Sequence, residues 1–134
     1  MEFSPVYVTN PKSKIEKITP VNAVSLTGTD AQAFTVDVSK YRKIWVVAQS
    51  GCDAEIDLRF RTLLPNNNKM WNGSVWEVND TVVIPSNDTS VFHINTALPH
   101  INDLISDSLI LRVAAKTAPT KGTVTITIFG EVFS

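Results

Sequence analysis

The chain lacks the cysteine needed for a disulfide: Cys52 is alone among 134 residues, and a single thiol cannot close an internal bridge. That excludes the stapled scaffold of small secreted domains, so stability must come from a core. A chain of this length can bury roughly two-thirds of its unfolded surface. No run approaches the roughly 18 apolar residues of a membrane span. The opening MEFSPVYVTNPKSK has neither the basic start nor the apolar stretch of a signal peptide, so a soluble protein made without one is expected, with no membrane insertion. Charge of one sign is missing as well. Twelve basic and 13 acidic residues are scattered to a net −1, too even a balance to grip a phosphate backbone, and nucleic acid is not an expected partner. Glycine is scarce, and no phosphate loop, nucleophile elbow or paired-carboxylate motif occurs; the expectation is a protein that is not an enzyme and uses no cofactor.

What the chain does have is alternation. In AEIDLRFRT (54–62), Ile56, Leu58 and Phe60 point one way while Glu55, Asp57, Arg59 and Arg61 point the other. In TVTITIFGEVF (123–133), Val124, Ile126 and Ile128 alternate with Thr123, Thr125 and Thr127. Strand-like runs at 21–27, 33–38, 42–50, 54–63, 74–84, 90–95, 109–116 and 122–133 are separated by turn signals such as TGTD, SGCD, PNNN, PSND and APTKG. This spacing predicts an all-β domain over 21–134, an antiparallel sandwich or barrel of about eight strands. At most one short helical turn is expected, at 99–106. Residues 1–20, with Pro5, Pro11 and Pro20, read as an extended N-terminal arm that packs on a neighbour. The basic cluster between Lys12 and Lys17 reads as a solvated linker. The strand around Trp45 is unusual, since Ile44, Val46 and Ala48 on one face are matched by Trp45 and Val47 on the other. A strand apolar on both faces is central and covered on its second side, by a loop, the arm or another subunit.

Candidates for chemistry are few. Asp53, Glu55 and Asp57 copy the opening spacing of a calcium loop without its glycine, and alternation leaves Glu55 and Asp57 beside Arg59 and Arg61, better placed for surface ion pairing, so no metal site is expected. His93 and His100 do not form a metal pair and read as structural. Cys52 has no base supplied by its neighbours in sequence. The loop PNNNKMWNGSVW (65–76) is the one ligand-like stretch. Its Asn67, Lys69, Trp71, Asn72 and Trp76 could serve a sugar, indole planes stacking on the ring while amides pair with hydroxyls. Against this stands the anchoring of the loop to the sheet by its tryptophans, with Asn72-Gly73 as a tight hairpin turn between Trp71 and Ser74.

The segments FTVDVSKYRKIWVVAQS (34–50), AEIDLRFR (54–61) and GTVTITIFGEVF (122–133) resemble the small β-sandwich or jelly-roll domains of bacteriophage and prophage virion structural proteins, through a V-D-V-S-x-Y corner and a closing G-T-V-T strand. The same corner occurs in carbohydrate-binding jelly rolls. The resemblance implies a jelly roll and a non-enzymatic structural or accessory protein, of the tail-accessory or capsid-decoration type. It would be synthesised in a bacterial cytoplasm and act through protein contacts, as a homo-oligomer and with other virion proteins. Val6, Tyr7 and Val8 of the arm and Trp45 are the expected contact residues. The alternative is a carbohydrate-binding module that takes a surface glycan on the 65–76 loop.

Overall fold

The alternating runs become two facing antiparallel sheets. The computed structural model describes residues 14–62, 70–71, 73–74, 76–77, 81–97 and 107–132. Its strands are β1 (Ile15–Ser25), β2 (Gln32–Asp37), β3 (Tyr41–Ser50), β4 (Ile56–Arg61), β5 (Met70–Trp71), β6 (Trp76–Glu77), β7 (Thr81–Ile84), β8 (Thr89–His93), β9 (Ser108–Ala115) and β10 (Thr123–Val132), with one helical turn, α1 (Ile94–Ala97). One sheet runs β1-β10-β3-β8 and the other β2-β9-β4-β7, while β5 and β6 form a separate ladder.

The pairings are nested. β1 pairs with β10, β2 with β9, β3 with β8 and β4 with β7, so the chain is one long antiparallel ribbon doubled on itself, with β5 and β6 inserted between its two halves. The further pairs β10–β3 and β4–β9 roll that ribbon into two sheets. This is the eight-stranded jelly roll, and the all-β sandwich expected from the sequence is the fold. Its core is the dry face of each strand. Ile56, Leu58 and Phe60 with Leu109, Leu111 and Val113 face Ile44, Val46, Ile126 and Ile128, all buried. Each such side chain contributes about 1.5–3 kcal/mol through burial. Phe60 meets Phe92 edge-on at 6.0 Å across the sandwich.

Three local expectations are revised. β1 starts at Ile15, inside the stretch expected as an arm, and pairs with β10 from Glu131 downward. The prolines of the segment do not forbid this: Pro20 lies on an edge strand, where a missing N–H breaks no ladder, and the register shifts on either side of Val21. Ala23 takes a positive φ of 50° there, and its N–H bonds to Thr125 Oγ1 at 3.0 Å. The run expected at 74–84 contains two strands, β6 and β7. The run expected at 90–95 ends at His93, where α1 begins by burying Ile94. The helical turn expected at 99–106 lies outside the described residues.

The corner that carried the resemblance is explained by the fold. Asp37 Oδ1 accepts the backbone N–H of Ser39 at 3.0 Å and its hydroxyl at 2.7 Å, and Tyr41 N–H bonds to Val38 O at 3.1 Å. This side-chain turn carries the chain from β2 in one sheet to β3 in the other, with Val36 and Val38 buried on either side. Valine, aspartate and serine are thus used to change sheets.

Candidate functional site

Residues two apart on a strand share a face, so the apolar second face of β3 becomes the outer face of the β1-β10-β3-β8 sheet. Register aligns Lys17, Phe129, Trp45 and His93 in one cross-strand row, and Thr127, Val47 and Val91 in the next. The Trp45 and His93 rings lie 4.8 Å apart, tilted by 43°. Trp45, Val47, Phe129 and His93 are half-buried. Val91 is 66% exposed and Ile15, at one corner of the face, 51%. Protein contact surfaces characteristically combine an apolar centre with polar groups at the margins.

Those margins are present. On one side Glu131, itself buried, accepts from Arg42 Nη2 and lies 3.9 Å from Lys43 Nζ, and register puts Ile15 opposite it. On the other side Gln49, Thr89, Thr123 and Thr125 line a polar hollow of about 320 Å³ with Asn87 and Asp88. The threonine ladder expected on β10 therefore lies on this outer face and forms its polar half.

Several ionisable groups elsewhere are tied into structure. Glu16 is held below the usual carboxylate range chiefly by Lys40, 3.0 Å away, helped by the Tyr41 hydroxyl at 3.3 Å and Lys14 at 3.5 Å. Burial, then the Glu16 charge, pushes the Tyr41 phenol up. Asp53 is lowered because it accepts from both the hydroxyl and the N–H of Thr120, fastening the β9–β10 loop to the β3–β4 loop. Burial pushes the Cys52 thiol up, which leaves it protonated and a poor nucleophile. Glu55 and Asp57 face Lys116 at 4.0 and 3.8 Å, so the acidic run is spent on a loop contact and an ion pair rather than directed into one oxygen cage.

Of the contact residues expected from sequence, Trp45 sits in the middle of the apolar band, while Val6, Tyr7 and Val8 lie outside the described residues. Of the ligand-loop residues, Asn67, Lys69 and Asn72 lie outside them too. The backbones of Trp71 and Trp76 are direct partners in the β5–β6 ladder. That register corrects the expected two-residue hairpin, in which Trp71 would face Ser74. Gly73 takes the positive φ of 104° that a turn demands, but within a longer connection. Val91 and Phe129 were missed by sequence reasoning. Their signal was the pairing of Val91 with Val47 and of Phe129 with Trp45, which a single strand does not reveal.

No protein-family model matches the chain, and no curated protein matches it. Among solved structures, one described as desmodium yellow mottle tymovirus covers 98% of this chain and 85% of its own at 17% identity, with a TM-score of 0.37. The tobacco streak virus coat protein dimer covers 95% and 92% at 9% identity, with a TM-score of 0.36. These superpositions are loose, and the jelly roll of this chain is read from its own strand order.

Proposed function

We propose that this protein is a non-enzymatic structural or accessory component of a virus particle, of the phage tail-accessory or capsid-decoration type, which docks copies of itself through the outer face of the β1-β10-β3-β8 sheet. The observation that carries the contact reading is Val91, 66% exposed on the outer face of the edge strand β8, directly opposite Val47 and diagonal to Trp45. An outer sheet face in a solitary domain is expected to be polar, as the threonines farther along this one are. A net charge of −1 supports self-association, because copies approach with little mutual repulsion. The particle assignment is supported by the sequence resemblance and by a jelly-roll body in which the ionisable groups described above serve packing and loop closure. Val6, Tyr7 and Val8 belong to the same proposal as contact residues of the N-terminal segment.

The mass of the protein measured by light scattering up to high micromolar concentration tests this reading. The wild type is expected to rise above the monomer mass. Val91→Glu, at a site where the fold needs nothing, should weaken association by about tenfold or more, the equivalent of losing one buried valine contact. Trp45→Glu should weaken it further, with the β-sheet circular dichroism retained. A wild type that stays monomeric, or a Val91→Glu variant of unchanged mass, overturns the proposal.

A further inference from the structure

The outer face of the opposite sheet has a different character. β4 presents Asp57, Arg59 and Arg61 there, and β9 presents Ile110, Arg112 and Ala114. Register sets Arg59 directly opposite Arg112, with Ala33 of β2 on the other side of Arg112 and Asp57 opposite Ala114. Like charges directly opposed on neighbouring strands are destabilising. Arg112 is half-buried, and among the described residues no hydrogen bond or ion pair reaches its side chain. Arg59 and Arg61 make contacts of their own. Asp57, the carboxylate facing the same way, lies 3.8 Å from Lys116. Between these groups is a hollow of about 130 Å³ lined by Ala31, Asp57, Arg59, Arg112 and Ala114. The two alanines leave space where longer side chains would otherwise fill a sheet surface.

We propose that this hollow binds an oxyanion head group, a phosphate or a carboxylate, with Arg112 as the principal donor and Arg59 as the second. A guanidinium presents its N–H groups in a planar fork that matches either group bidentately, which a point-charge ammonium does not. An anion seated there relieves the opposition of Arg59 and Arg112. Asp57, occupied by Lys116, closes one side and restricts the site to a small head group.

The test compares thermal unfolding of the full chain in chloride, inorganic phosphate and succinate at equal ionic strength. Wild type, Arg112→Gln, Arg59→Gln and the exposed-loop control Lys121→Gln are measured in each. Wild type and Lys121→Gln are expected to gain about 3 °C or more in at least one oxyanion over chloride. Arg112→Gln should lose that gain, and in chloride it should melt no lower than wild type because a repulsion has been removed. Arg59→Gln should lose part of it. A response to phosphate alone assigns a phosphate ligand; a response to succinate, reproduced with a short glutamate peptide, assigns an acidic protein side chain. No response in wild type, or an equal response in Arg112→Gln, which would mark a general salt effect, overturns the proposal. Neither outcome touches the contact face on the other sheet.

Discussion

At the scale of single residues, the polar groups of this protein hold loops together, and Asp53 is the clearest case. Both hydrogen bonds from Thr120 favour its ionised form, so its carboxyl in the folded protein titrates below the ordinary value. A depressed folded-state pKa gives stability that is fully present above the unfolded value, near pH 4, and is lost as pH falls through the folded one. Asp53→Asn should therefore unfold at lower urea than wild type at pH 7, and the gap should close below about pH 4. A gap that stays constant between pH 7 and pH 3 would show that the charge contributes nothing. Glu16 and Asp37 are shifted in the same direction, so the wild-type midpoint should itself decline over this range. The sequence made part of this legible. It showed Asp53 in the turn SGCD, but Thr120 is 67 residues away, and no local pattern links two loops that the roll brings together.

At the scale of elements, β3, β10 and β1 are locked where a large side chain crosses a missing one. Gly130 of β10 lies between Glu16 of β1 and Ile44 of β3, and Tyr41 covers it before its hydroxyl reaches Glu16. A Cβ on Gly130 would fall 2.3 Å from Cγ of the Tyr41 ring. Gly130→Ala should therefore cost about 1–3 kcal/mol by overpacking, measured by urea unfolding. Because the two residues share one contact, adding Gly130→Ala to a Tyr41→Ala background should cost markedly less than in wild type; equal costs in both would show that the ring and the glycine are not coupled. The strand patterns of β4 and β10 could be read from the sequence because each has one dry face with a period of two. The edge strand β1 could not, since its shifts around Val21 break the period and Pro20 resembles a breaker. Trp71 and Trp76 show a different limit: Asn72-Gly73 announces a turn, yet the register that pairs the two tryptophans is set by the length of the connection.

At the scale of the whole molecule, strand order was beyond the sequence, because almost every pairing joins strands far apart in the chain: β1 meets β10 and β2 meets β9. The apolar second face of β3 was visible, but its neighbours were not, so Val91 and Phe129 joined Trp45 only once the ribbon was rolled. The same roll places the apolar band and the Arg59–Arg112 hollow on opposite outer surfaces, separated by two sheets that pack about 10 Å apart. Sites so far apart with no shared side chain act independently. Val91→Glu should therefore weaken the concentration-dependent rise in mass while leaving the oxyanion gain in thermal stability unchanged when both proteins are compared at a dilution where each is monomeric. Arg112→Gln should do the reverse, and the double variant should show the sum of the two changes. If Arg112→Gln instead lowered the mass, the anion taken by the hollow would be an acidic group of a second copy, and the two faces would be halves of one head-to-tail contact.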